Sequence, residues 1–399
     1  MNNRQLSDLT IRIIADRPMN GKKVDSEFYN HSYHDSKAMR AYKSKFRVAV
    51  RVVQAMNILR AGGSVIAVQK HTLSPEPKEF PEEKYFFKEE PMGEGGNGAV
   101  YRARDQESGD LVAMKIIVSR SRGRRSSAGF ARLLEKVAKE VSISRRLQEG
   151  PENLQRLVAQ TTHFYKYEPL KEAVLIIRPF ADGGTLAARI KDQLTQDSTD
   201  GVREYIDEDF FHLALSDLAN GLNFIHQHSV RHKDIKPSNI LIHQGRLLYA
   251  DFGISTEWDP RYSKAGTTAS TRPQYTYEYA APEILSRKAP RNKQADIFNL
   301  GAVFLELLSC RAMVTLQDPG MKELTPYADG PFVGYGDDLL HNGSDNGAAK
   351  RLEFILSNDK LRELDENAEL TALMMELKPE RRPTAAEICE RVMELKPFD

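Results

Sequence analysis

Asp234, Asn239 and Asp251 are hard oxygen donors with Lys236 among them, and they fall in two short runs, His232-Lys233-Asp234-Ile235-Lys236-Pro237-Ser238-Asn239 and Asp251-Phe252-Gly253. Between the runs the chain reads Ile240-Leu241-Ile242-His243, then Gln244-Gly245, then Arg246-Leu247-Leu248-Tyr249-Ala250. Two apolar runs of similar length around a glycine turn predict an antiparallel hairpin. Equal arms return the chain to its start, so Asn239 and Asp251 are expected side by side at the open end, with Asp234 reaching the same space. Adjacent oxygen ligands with room for water and phosphate oxygens suit Mg²⁺ rather than a caged Ca²⁺ or a thiolate-bound metal. The layout fits phosphoryl transfer.

A second set lies upstream. Gly93-Glu94-Gly95-Gly96-Asn97-Gly98-Ala99-Val100 precedes the strand Val112-Ala113-Met114-Lys115. Glycines let backbone approach phosphates, although such a run alone also fits a plain hairpin. No helix follows it, so the dinucleotide-binding version of the motif, which needs a helix N-terminus, fails. A lysine in an apolar strand is usually an edge residue facing water. Here Glu140 falls on the next predicted helix, and a glutamate-held ammonium aimed at phosphates fits the set.

These residues need two lobes to carry them. Ser74-Pro75-Glu76-Pro77-Lys78 through Phe80-Pro81-Glu82-Glu83 is a proline-and-charge linker that cannot continue a helix, which places a boundary near residue 84. From Tyr85 the pattern is strand, glycine loop, strand, then a helix from about Phe130 to Leu147 with the stripe Phe130, Leu134, Val137 and Val141. Ala173 to Ile177 reads as a buried strand, Ala181-Asp182-Gly183-Gly184 as a connector, and Leu186 to Leu194 as a helix. Phe211, Leu215, Leu218, Leu222 and Ile225 line one face of a long helix, and Ile297 to Leu308 is apolar nearly all round, a central buried helix. Residues 312–350, rich in Gly, Asp and Pro, read as an irregular insertion.

With 399 residues, 28% charged and 40% hydrophobic, and a net charge of +1, the chain has the composition of a soluble globular protein. Its charge argues against a nucleic-acid binder dominated by phosphate neutralisation. Cys310 and Cys389 are the two cysteines, each inside an apolar helical stretch, so packed core thiols are expected rather than a disulfide framework or a zinc site. No run reaches membrane-spanning length and no leader or lipidation signal is evident, from which a cytoplasmic or nuclear address is expected.

Taken together, the motifs resemble the eukaryotic-type serine/threonine protein kinases, over roughly residues 85 to 395. The resemblance implies an α+β, bilobal fold: a small lobe of antiparallel sheet plus one helix (85–178), a hinge (179–184) and a large, mainly helical lobe (185–399), preceded by an extension (1–84). It implies that Gly93, Gly95, Gly98 and Val100 cover ATP, that Ala181 in the hinge borders it, and that Lys115, oriented by Glu140, holds the α and β phosphates. It makes Asp234 the catalytic base, Lys236 the support of the transferred group, and Asn239 and Asp251 the Mg²⁺ ligands. Ala281-Pro282-Glu283 looks like the end of an activation segment, with Glu283 paired to Arg382, and Asp296 is similar to the aspartate that braces the catalytic loop. Lys236 with Thr276 and Tyr279 is similar to the serine/threonine branch. Protein substrates and ATP are the implied partners. Ser238, where kinases that prefer basic targets often carry Glu, does not support a strongly basophilic preference.

Several residues depart from the pattern. Lys233 stands where most regulated members have Arg, and an ammonium cannot fork onto a phosphate, so activation through Ser263, Thr267, Thr268, Ser270 or Thr271 is expected to be weaker or absent. Counting back from Gly183-Gly184 puts Arg178 at the position that gates the adenine pocket, unless the register differs by one, and Pro179 next, where a carbonyl suffices. Ser144 is polar where an apolar residue usually packs between the lobes, and Tyr275 replaces a glycine. These departures keep open a pseudokinase scaffold that binds nucleotide without efficient transfer. A small-molecule kinase on a related fold is disfavoured by the long segment from Asp251 to Glu283.

Between Asp35 and Glu76 there is no acidic residue, while Lys37, Arg40, Lys43, Lys45, Arg47, Arg51 and Arg60 are basic and Met39, Tyr42, Phe46, Val50, Val53, Met56 and Leu59 fall at helical spacing. This basic amphipathic segment fits a calmodulin-like or other regulatory partner, an anionic membrane surface, or a helix docked on the small lobe. Arg120, Arg122, Arg124 and Arg125 before Ser126 read as an exposed loop, with a phosphosite or nuclear address as the alternative.

Overall fold

The computed structural model describes residues 76–87, 90–95, 98–118, 127–167, 172–195, 206–258, 275–286, 292–316 and 347–395. The basic segment at 37–60, the run Arg120 to Ser126, the hydroxyls from Ser263 to Thr271 and most of the 312–350 insertion lie outside the described residues.

The small lobe is a seven-stranded sheet in the order β1 (Lys78–Glu79), β6 (Gln160–Tyr167), β7 (Glu172–Arg178), β5 (Leu111–Val118), β4 (Gly98–Asp105), β2 (Tyr85–Phe87), with β3 (Gly93–Gly95) also on β4. Every pairing is antiparallel except β1 with β6. Alternation along the strands sends successive side chains to opposite faces. Met114, Val174 and Ile176 turn outward onto Tyr85 and Tyr165, while Ala173 and Leu175 turn toward Val137, Ala138 and Val141 of helix α1 (Ser127–Arg146). Phe130, Val137 and Val141 of the expected stripe are buried, with Leu134 packed at its margin.

The unit begins earlier than the boundary expected at residue 84. β1 adds a parallel strand from within the linker, and Phe80 stacks on Tyr85 and meets Tyr165 and Tyr167 edge-on. Proline and charge barred a helix there, but a strand needs only an unpaired edge, which β6 offers.

In the large lobe, helix α2 (Glu152–Gln155) and helix α3 (Leu186–Thr195) precede the long helix α4 (Glu208–Gln227). Asp207 caps α4 by accepting from Phe210 N at 2.8 Å. Its stripe Phe211, Leu215, Leu218, Leu222 and Ile225 is buried, enough apolar surface to stabilise by roughly 1.5–3 kcal/mol per side chain. Helix α6 (Lys293–Leu316) is buried almost all round; contrary to the expectation that no run reaches membrane-spanning length, it is long and apolar enough to cross a membrane, yet 89% of its most apolar window lies inside the lobe, as a core helix does. Short helix α5 (Pro282–Leu285) precedes it, and α7 (Gly347–Ser357), α8 (Asp365–Met374) and α9 (Ala385–Glu394) close the lobe. Cys310 and Cys389 are buried core thiols, and desolvation pushes Cys389 up to about 12 and Cys310 higher still.

The hairpin forms as its residues dictate. β9 (Ile240–His243) pairs with β10 (Arg246–Tyr249), His243 opposite Arg246 and Ile240 opposite Tyr249. Gln244 (φ 49°) and Gly245 (φ 75°) are both left-handed, the requirement of a two-residue turn that matches strand twist.

Candidate active site

Beyond the last ladder pair, Ala250 N donates to Asn239 O at 2.9 Å, which sets Asn239 next to Asp251 at the mouth of the hairpin. Asn239 Nδ2 donates to Asp234 O at 2.8 Å and to Asp234 Oδ2 at 2.9 Å. With both amide hydrogens spent on Asp234, Asn239 has its Oδ1 to offer a cation. Among the described residues no group of three or more His, Cys, Asp or Glu could cage a metal. One amide and one carboxylate oxygen donor fit an ion such as Mg²⁺ that keeps water and takes phosphate oxygens for its other positions.

A triangle surrounds Asp234. Thr276 Oγ1 donates to Asp234 Oδ1 at 2.6 Å, Lys236 Nζ donates to Thr276 Oγ1 at 2.7 Å, and Lys236 Nζ lies 3.2 Å from Asp234 Oδ2. An acceptor carboxylate, an ammonium and a hydroxyl thus converge from two separate segments. Tyr275 and Thr276 line, with Asp234 and Asn299, a cavity of about 10 Å³ against this triangle, roughly the space one water needs.

The small lobe supplies the opposing cation. Lys115, opposite Val100 on one side and Leu175 on the other, is 2.9 Å from Glu140 Oε1 and 2.7 Å from Asp251 Oδ1. Burial alone would lower the lysine pKa, but the two carboxylates outweigh it and the net shift is upward, so the ammonium stays charged. The glycine run forms hairpin β3–β4, with Gly93 opposite Val100 and Gly95 opposite Gly98. Gly98, at φ 124°, sits where an added Cβ would lie 2.4 Å from Ile116 O, so no other residue fits against β5.

The loop from His232 to Asn239 is braced from below. Asp296 accepts from His232 N at 2.9 Å, Lys233 N at 2.8 Å and His226 Nε2 at 3.1 Å. Burial would raise its pKa, but these donors, His226 first, bring it below the usual carboxylate value. Lys233 is left-handed (φ 72°), as is Asp251 (φ 62°). His232 donates from Nε2 to Ala250 O at 3.0 Å and accepts at Nδ1 from Asp234 N at 3.3 Å, one neutral tautomer serving both. Desolvation lowers its pKa against the pull of Asp296, Asp234 and Asp251. Glu283 and Arg382 form a two-pronged buried pair at 2.7 and 2.8 Å that ties the segment after Thr276 to the end of the lobe.

Arg178 does not share the sheet face of Lys115. β5–β7 pairing places Ile177 opposite Ala113 and Leu175 opposite Lys115, so Ile177 shares the inner face and Arg178 points the other way. Its guanidinium pairs with Asp105 and Asp110 at 2.8 Å each, which fixes the register one residue from the count back from the glycines. Ser144 is buried and satisfied: Oγ accepts from Thr161 N at 2.7 Å, beside the irregularity between Thr161 and His163. The hydroxyl thus meets a backbone donor of β6, so the buried polar group is satisfied.

The connector is stitched to the hairpin. Gly183 N donates to Ile242 O at 3.0 Å, Ile242 N to Gly184 O at 2.9 Å, and Asp182 Oδ1 accepts from Gln244 N at 2.9 Å and from His243 Nδ1 at 3.1 Å. Ala181 is half-buried just ahead of this clamp. The clamp by Asp182, the contact of Ser255 Oγ with His232 O at 2.9 Å and the ion pair of Arg146 with Glu257 at 3.1 Å carry no motif in the sequence. All three depend on long-range placement.

A two-lobed fold with these groups between its lobes has the architecture of the protein kinase class. The sequence pattern of the protein kinase domain matches residues 86–393, and the chain belongs to that family. It is 29% identical over 222 residues to the CBL-interacting serine/threonine-protein kinase 7 of Arabidopsis thaliana, covering 54% of this chain and 44% of that protein. It is 28% identical over 242 residues to the CBL-interacting protein kinase 11 of Oryza sativa subsp. japonica (58% and 41%), and 30% identical over 219 residues to the MAP kinase kinase kinase wis4 of Schizosaccharomyces pombe (53% and 14%). The matches span less than half the length of these curated relatives.

Proposed function

We propose that the chain transfers the γ-phosphoryl group of ATP to serine or threonine hydroxyls of proteins. The observation that carries this reading is the Asp234–Lys236–Thr276 triangle next to Asn239 and Asp251. Asp234 aims the attacking hydroxyl and accepts its proton, Lys236 offsets charge on the moving group, and Lys115, held by Glu140, grips the α and β phosphates. When bound, Mg²⁺ held by Asn239 and Asp251 supplies charge neutralisation on the phosphates. Thr276, spanning Asp234 and Lys236, favours an aliphatic hydroxyl substrate. A complete set of polar groups speaks against a pseudokinase scaffold, and Lys233, Arg178 and Ser144 each have a place in the fold that leaves the cleft intact.

Radiolabel transfer from ATP to a peptide array tests the proposal. Wild type should label Ser or Thr peptides, and Asp234→Asn should lose about 10²–10⁴-fold in kcat with ATP affinity kept. Equal rates for the two proteins, or no transfer by wild type, would overturn it.

The basic segment at 37–60 is offered as the site of a regulatory partner; two of the relatives are named for interaction with CBL. Equal activity of the full chain and a chain starting at residue 76, which keeps β1, with and without such a partner or calcium-calmodulin, would remove that assignment. A cytoplasmic or nuclear address is part of the same reading and is tested by imaging a tagged full chain.

A further inference from the structure

Six residues beyond Glu140, Arg146 in the last turn of α1 reaches Glu257, with Nη1 3.1 Å from Oε2. Asp251 precedes Glu257 by the same six residues. The two segments that Lys115 joins at Glu140 and Asp251 are therefore joined again at a second point. Glu257 does not hang on a free loop. It belongs to β11 (Thr256–Glu257), which pairs with β8 (Val230–Arg231) directly before the catalytic loop. Trp258 N donates to Ser229 O at 3.0 Å and Ser255 Oγ to His232 O at 2.9 Å, closing both ends of that short strand. Glu257 is thus fixed to the large lobe, and Arg146 fastens to it the helix that carries Glu140.

A kinase is competent only when its Lys–Glu pair and its metal-binding aspartate are in place together, and a loop phosphate that meets arginine is the usual device for this. Lys233 lacks the planar fork that would grip such a phosphate. Glu257 is a carboxylate of the chain itself, already seated against an arginine of α1. We propose that Arg146 and Glu257 are a positioning pair, a built-in latch that keeps Glu140 on Lys115 so that transfer does not require phosphorylation of the loop. The inference rests on the phosphotransferase reading above.

Arg146 and Glu257 are 31% and 44% exposed, so solvent screens the latch, and its loss should lower kcat by about two- to fivefold rather than abolish it. The test uses the full chain treated with phosphatase, comparing wild type, Arg146→Gln, Glu257→Gln and the exchange Arg146→Glu with Glu257→Arg. Each is read by kcat, by KM for ATP and by amide hydrogen exchange over Val141 to Arg146. The single variants should lower kcat with little change in KM and speed exchange at the end of α1, and the exchanged pair should recover both. Phosphatase should leave wild-type kcat within about twofold. Single variants with wild-type exchange, an exchanged pair no better than the singles, or a tenfold loss on dephosphorylation would overturn the latch. A wild-type chain without transfer would sink the kinase reading instead, while the exchange rates still judge the latch.

Discussion

Replacing Asp296 by asparagine keeps the size of the side chain and changes one acceptor into a donor. With the remaining oxygen toward His232 N and His226 Nε2, the new amide faces Lys233 N, which now sits 2.8 Å from a carboxylate oxygen. One charge-assisted hydrogen bond is lost, about 1.5–3 kcal/mol, and one buried donor is stranded, about 1–3 kcal/mol. The loop can relieve part of this by letting Lys233 leave φ 72°, a conformation that costs a non-glycine residue about 1 kcal/mol to hold. The net expectation is a loss of about 2–4 kcal/mol in urea unfolding. Asp234 is the next residue, and a displacement of about 1 Å there should lower kcat about 100-fold. Adding Lys233→Gly to the variant should return about 0.5–1 kcal/mol, because glycine accepts positive φ. An Asp296→Asn protein within about 0.5 kcal/mol and twofold in kcat of wild type would refute the bracing role.

Three other outcomes are expected. Arg382→Leu leaves Glu283, 5% exposed, as a buried charge without its partner, and should cost about 3–5 kcal/mol by denaturant unfolding, whereas replacing both residues by apolar ones should cost less. Gly98→Ala drives a Cβ to 2.4 Å from Ile116 O at φ 124°; a rise in KM for ATP together with a stability loss of about 1–3 kcal/mol checks it. His232 has a folded pKa below its unfolded value, so the unfolded chain takes up the proton first as pH falls. Stability linked to His232 is fully present above about pH 6.5 and declines below it, and in His232→Phe the decline between about pH 6.5 and 5 should flatten in a thermal melt.

The parts of the site legible in the sequence are those whose geometry is local or periodic. The hairpin arms around Gln244-Gly245 locate Asn239 against Asp251, and the stripe of α1 turns Glu140 toward Lys115. Arg178 shows where counting stops: an offset of one residue, set by pairing with a distant strand, moves a side chain to the other face of a sheet. Ser144 looked like a flaw because its partner, Thr161 N, belongs to another element, β6, that no local pattern points to. β1 escaped for the same reason, since two linker residues become a strand only when β6 presents an edge.

The clamp between the connector and the β9–β10 turn has a mechanical consequence. Because Asp182, Gly183 and Gly184 are bonded to the hairpin that ends at Asn239 and Asp251, they must travel with the large lobe. Any opening between the lobes is concentrated upstream, in Pro179, Phe180 and Ala181, so the pivot of this fold is three residues long and begins with a ring that cannot rotate about φ. Stiffening or loosening those three positions should tune how fast nucleotide leaves without touching a group that does chemistry.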